Sequence, residues 1–136
     1  MPSQNQLDET YLSMASIWSQ LSKAERKKVG CLIVKDGAII SDGYNGTPSG
    51  FDNTCETITA TNGSTKLVTK PEVLHAESNA ITKLAKSTQS SDGATMYITI
   101  SPCIECAKLI IQSGIKRVVF RKIYRNEEGI KLLKKA

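Results

Sequence analysis

The sequence predicts a single α/β domain spanning residues 1–136. Three observations carry that reading. Helical and extended patterns follow one another in the order αββαβαβα. The second half holds a strand, a helix and a strand joined by short connections, the pattern of a right-handed parallel crossover. The length suits one core, and 40% hydrophobic with 23% charged residues is the balance of an ordinary globular domain.

The elements follow in order. Leu7, Tyr11, Met14, Trp18 and Leu21 recur at steps of four and three and give the first helix one apolar stripe, with Asn5 as its expected N-cap. Cys31 to Val34 is a short apolar run, Asp36-Gly37 is a hairpin turn signal, and Ala38 to Ser41 resumes the extended pattern, so an antiparallel hairpin is expected. Residues 42–71 read as a long loop containing Gly43, Gly46, Pro48, Gly50 and Gly63. A second helix follows Pro71 and runs to about Ala85, with Leu74, Ile81 and Leu84 on its apolar side. Thr95 to Ile100 reads as a strand. Pro102 opens a third helix from an N1 position with Ser101 as its cap, and Gly114 ends it. Arg117 to Arg121 is another strand, and a last helix begins near Asn126. No internal repeat, low-complexity tract or linker interrupts the chain.

Composition narrows the function. No apolar run approaches the length of a membrane span, and Met1 to Thr10 lacks the apolar stretch of a signal peptide. The expected location is the cytoplasm, or the host cytoplasm if the source is viral. The net charge of +5 fits either a solvated basic surface or attraction to phosphate-bearing ligands. Arg26, Lys27 and Lys28 form one cluster, and Lys131, Lys134 and Lys135 another. No aromatic residues interleave with them, which argues against a nucleic-acid track. In a reducing compartment the cysteines Cys31, Cys55, Cys103 and Cys106 more often bind metal or lie buried than pair as disulfides.

The chemistry concentrates in His75-Ala76-Glu77 and Pro102-Cys103-Ile104-Glu105-Cys106. Two cysteines spaced C-x-x-C at a helix start reach one metal, and the imidazole of His75 suits zinc. Three protein ligands leave a fourth position for water, the mark of a catalytic rather than a structural site. Glu77 lies two residues after His75, a spacing that does not share a face in mid-helix. Both serve one site only if the metal lies over the helix N-terminus, where the partial positive charge favours thiolate. A carboxylate beside zinc-activated water can serve as general acid–base in a hydrolysis, and the combined pattern resembles the signature of zinc-dependent nucleobase deaminases.

The same residues sit within a wider match. Val29-Gly30-Cys31, the run from Gly43-Tyr44-Asn45-Gly46-Thr47-Pro48 to Asn53, His75-Ala76-Glu77-Ser78-Asn79-Ala80-Ile81, Met96 to Cys103, and Ala107 to Val119 resemble the dCMP deaminase family, over about residues 7 to 125. The resemblance implies a cytidine-deaminase-like three-layer fold, a mixed sheet of four to five strands flanked by helices. It implies hydrolysis of dCMP to dUMP with release of ammonia, supplying thymidylate synthesis, on one zinc ion per chain held by His75, Cys103 and Cys106 with Glu77 as the catalytic acid–base. It implies that Asn45 binds the sugar hydroxyl, that the main chain around Ala76 and Ser101 reads the pyrimidine edge, and that Arg26 and Tyr124 contact the phosphate. Family members are usually homo-hexamers, and many are activated by dCTP and inhibited by dTTP. No nucleic acid and no membrane is expected as a partner. With only Cys31 and Cys55 to spare, no second zinc is expected.

Two alternatives remain open at this point. The chain could deaminate deoxycytidine, dCTP or another base. It could instead be a structural zinc module, which would recruit Cys31 or Cys55 as a fourth ligand and would have no use for Glu77.

Overall fold

The computed structural model describes the backbone of all 136 residues and every side chain except that of Thr61. The order is α1 (Gln4–Ser19), β1 (Gly30–Lys35), β2 (Ala38–Tyr44), β3 (Glu56–Thr61), β4 (Ser64–Thr69), α2 (Ala76–Leu84), β5 (Thr95–Ile100), α3 (Ile104–Gln112), β6 (Arg117–Lys122) and α4 (Glu128–Lys135). The main sheet runs β2-β1-β5-β6. β1 is antiparallel to both β2 and β5, and β5 is parallel to β6, as the strand–helix–strand pattern requires. The result is a mixed four-stranded sheet flanked by four helices.

Strand alternation sorts the core into two layers. Cys31, Ile33, Met96 and Val118 pack with Ala76, Ala80 and Leu84 of α2 and Ile110 of α3. Their neighbours Leu32, Val34, Tyr97 and Val119 face the other way, toward Tyr11, Leu12 and Ala15 of α1. Successive side chains of a strand point to opposite faces, so the central strands β1 and β5, buried along nearly their whole length, must be covered on both.

Several sequence expectations are corrected in detail. The N-cap of α1 is Ser3, not Asn5; Ser3 Oγ accepts from the Gln6 N–H, and the Gln6 side chain accepts from the Ser3 N–H. This reciprocal capping box satisfies two orphan donors, which Asn5 alone does not. The buried line of α1 is Leu12, Ala15 and Ser19, while Met14 and Leu21 of the expected stripe are exposed. Small residues win there because the helix lies close on β1: a Cβ on Gly30 would overlap the Ala15 carbonyl and sit 2.9 Å from the Ser19 nitrogen.

The segment read as a loop contains the β3–β4 hairpin, whose strands pair only with each other. Its turn is Asn62-Gly63, with both residues at positive φ, the same chemistry as Asp36-Gly37 in the first hairpin. α2 begins at Ala76, α3 at Ile104 with Cys103 rather than Ser101 as N-cap, and α4 at Glu128. Among the described residues, no helix is long and apolar enough to cross a membrane.

Candidate active site

His75 and Cys103 are the N-caps of α2 and α3, and neither spends its side chain on capping. Both are therefore free to point at a common centre. The chain is held on its way into α2 by paired hydrogen bonds between Gly46 and Leu74, at 3.0 and 2.8 Å. On the other side α4 presses on the Pro102–Cys103 peptide. A Cβ on Gly129 would come within 2.9 Å of the Cys103 carbonyl group and closer still to the Pro102 oxygen, so only glycine allows the approach.

His75 Nδ1 lies 3.5 Å from Cys103 Sγ and 3.4 Å from Cys106 Sγ. The three ligand atoms all fall within 4.8 Å of one another. A tetrahedral zinc with Zn–S near 2.3 Å and Zn–N near 2.0–2.1 Å requires N···S edges of about 3.5 Å, so the donor set fits the ion in both chemistry and spacing. Cys31 and Cys55 are not part of the cluster. Cys31 is fully buried in the core, where burial pushes its thiol well above the usual range, and the Cys55 thiol points to the Asn53 carbonyl at 3.6 Å. The closed four-ligand site of a structural module is thus not formed by these residues.

The Cys103 thiol is pulled down to about 3, chiefly by a hydrogen bond from Cys106 and then by His75. The same bond and burial raise the Cys106 thiol. A divalent cation bound here would leave both sulfurs as thiolates. Glu77 is 4% exposed and is pushed up to about 7 by burial, offset by its own backbone N–H at the helix start and by the charge on His75. A carboxyl balanced near neutrality can both accept and return a proton.

A cleft of about 340 Å³ opens beside this cluster, in the size range of small-ligand sites. It brings together His75, Ala76, Glu77, Ser101 and Cys103 with Arg26, Asn45 and Tyr124. Cys106 lies behind them, against His75. Asn45 is not merely a turn residue. Its Oδ1 accepts from the Val29 N–H at 2.9 Å and its Nδ2 donates to the Lys27 carbonyl at 2.8 Å, which leaves one amide proton free. Ser101 Oγ accepts from the Tyr124 N–H at 2.6 Å, so Ser101 anchors the segment that carries Tyr124 instead of capping α3.

The lining also includes polar residues that sequence reasoning did not assign to the site. Arg125 and Lys27 adjoin Tyr124 and Arg26 and add cationic charge. Glu56 and Thr69 arrive with the β3–β4 hairpin, for which Asn62-Gly63 was the available signal.

Comparison with known proteins points to one family. The model of the cytidine and deoxycytidylate deaminase zinc-binding region matches residues 5–122. The deoxycytidylate deaminase of Enterobacteria phage T2 is 38% identical, over 88% of this chain and 82% of its own length. The human deoxycytidylate deaminase is 41% identical, over 82% of this chain and 62% of its own. Among solved structures, the dCMP deaminase of cyanophage S-TIM5 in complex with dCMP and dUMP superposes with a TM-score of 0.86 at 44% identity, covering 98% of this chain and 94% of that one.

Proposed function

The chain belongs to the cytidine and deoxycytidylate deaminase family, and from that premise we propose how its own residues divide the reaction of a zinc-dependent dCMP deaminase. The reaction is a hydrolysis. Water adds at C4 of the base of dCMP, the C4–N bond breaks, and dUMP and ammonia leave. The observation that carries the assignment of roles is the buried Glu77 carboxyl, two residues from His75 and beside Cys106, in the lining of the cleft.

His75, Cys103 and Cys106 hold the zinc. When bound, zinc supplies a Lewis acid that lowers the pKa of water toward about 7. Glu77 takes one proton from the attacking water and places it on ring N3. It then carries the hydroxyl proton of the C4 adduct to the departing amine. The Ala76 N–H, an orphan donor in the first turn of α2, donates to the base carbonyl. The Ser101 N–H is committed to the Lys122 carbonyl at 2.8 Å, so its own carbonyl is the group that accepts from the exocyclic amine. The free amide proton of Asn45 binds a sugar hydroxyl, and Arg26 and Tyr124 clasp the phosphate. A guanidinium meets phosphate oxygens as a fork.

The reading extends to a cytoplasmic homo-oligomer, a hexamer as the resemblance implies, activated by dCTP and inhibited by dTTP. Ammonia release from dCMP, deoxycytidine, CMP, dCTP and an adenosine stem-loop, each with and without added dCTP, tests substrate and regulation together. Turnover of dCMP far above the others is expected. Efficient turnover of deoxycytidine by the unaltered enzyme would overturn the phosphate contacts.

A further inference from the structure

We propose that Glu56 and Thr69, the pair that closes the base of the β3–β4 hairpin, are positioning residues that aim Arg26 into the cleft. The inference rests on the reading of Arg26 as a phosphate contact. Glu56 is 8% exposed, an expensive place for a carboxylate, and it takes part in no ion pair among the described residues. Instead it accepts from two successive backbone N–H groups. The Glu25 N–H reaches Oε1 at 3.2 Å and Oε2 at 3.0 Å, and the Arg26 N–H reaches Oε2 at 3.0 Å. Hydrogen bonds to an ionised acceptor are the strong ones, so this carboxylate fixes the main chain of Arg26.

Thr69 stands directly across from Glu56 in the hairpin register. Its Oγ1 accepts from Arg26 Nη1 at 3.0 Å. One cross-strand pair therefore holds both the backbone and the guanidinium of Arg26, and all three residues line the cleft that holds His75 and Glu77. The choice of partners also leaves the charge of Arg26 unspent. Arg117 and Arg121 are paired with Asp8 and Glu9, whereas the side-chain partner of Arg26 is a neutral hydroxyl. A guanidinium held by one N–H, with four remaining, is oriented and still open to an anion. This gives a purpose to a two-stranded hairpin that joins no larger sheet and would be marginal alone.

The test uses the zinc-loaded full chain and reads kcat and KM for dCMP and for deoxycytidine. Thr69→Val removes the acceptor at an exposed site, so folding is not at stake. It should raise KM for dCMP by about 2–10-fold, the loss of one modest hydrogen bond, with kcat and the deoxycytidine reaction unchanged. Thr69→Ser should restore the wild-type KM, and Glu56→Gln should shift KM for dCMP in the same direction as Thr69→Val. In an Arg26→Ala background, Thr69→Val should add nothing. Equal losses on both substrates, or losses that add to that of Arg26→Ala, would overturn the positioning role. So would silent Thr69→Val and Glu56→Gln beside a strong Arg26→Ala effect, and that pattern leaves the phosphate reading standing. If Arg26→Ala itself keeps the preference for dCMP over deoxycytidine, the phosphate reading fails and the positioning role falls with it.

Discussion

His75 Nδ1 lies 3.5 Å from Cys103 Sγ, although 28 residues of chain separate them, because each is the N-cap of its own helix. Two helix N-termini thus converge on one point. Their partial positive charge favours the deprotonated sulfurs that a cation needs. The first prediction follows from this meeting point: purified protein holds one zinc per chain, and either Cys103→Ala or His75→Ala loses it. Metal analysis decides it. Two tightly held zincs per chain, or retention in both variants, would contradict the assignment.

The metal ligands were legible because they are short-range patterns of distinctive residue types, His75-x-Glu77 and Cys103-x-x-Cys106. The strands of the main sheet were legible from apolar runs, and Gly114 correctly marks the end of α3, where its φ is +80°. Ser101 was misread because a Ser-Pro pair imitates a helix start, while the chain stays extended through Cys103, at φ −71° and ψ 169°. The β3–β4 hairpin was hidden behind the glycines and proline of residues 43–50 despite its Asn62-Gly63 turn. Glu56 and Thr69 could not be found locally at all. Their partners, Glu25 and Arg26, lie 30–43 residues away and meet them only in the folded chain.

On the proposed reading, Arg26 is the residue that separates the phosphorylated from the unphosphorylated substrate. A charge-assisted hydrogen bond contributes roughly 1.5–3 kcal/mol. Arg26→Ala should cut kcat/KM for dCMP by about 10–150-fold and leave deoxycytidine nearly untouched. Equal losses on the two substrates would show that Arg26 acts through folding or assembly.

Gly43 sets how closely α2 approaches the sheet. A Cβ there would strike the Ala76 carbonyl and come within 2.8 Å of the Ala80 nitrogen. Both are backbone atoms and cannot swing away, so Gly43→Ala should push the start of α2 outward. We expect about 1–3 kcal/mol of destabilisation, together with weaker zinc retention, because His75 and Glu77 ride on that helix start. Denaturant unfolding and metal analysis of the same sample test the coupling. Full stability with normal zinc content would refute it.

Acid should weaken the fold through Asp8. Arg117 grips this carboxylate with two N–H groups, at 2.9 and 2.6 Å, and Tyr97 donates its hydroxyl at 2.6 Å. The Arg117 hydrogen bonds come first in holding Asp8 well below its ordinary value of 3.8. A carboxyl with a depressed folded-state pKa adds stability above its unfolded value, and that stability is lost as pH falls through the folded one. Asp8→Asn should therefore cost about 1–2 kcal/mol near neutrality, modest because Arg117 is partly solvated. The gap from wild type should close as pH drops below about 4. A gap that stays constant from pH 7 to pH 3 would rule out the charge as its cause.

The division of labour at the centre of this account stands or falls on Glu77→Gln, measured for zinc content and for ammonia release from dCMP in one preparation. The amide keeps the shape of the side chain and cannot take the proton. A general acid–base group contributes on the order of 10²–10⁴-fold, so the variant should hold one zinc per chain and lose at least about a hundredfold in turnover. A zinc-loaded Glu77→Gln enzyme that kept more than about a tenth of the wild-type rate would show that the proton travels by another route.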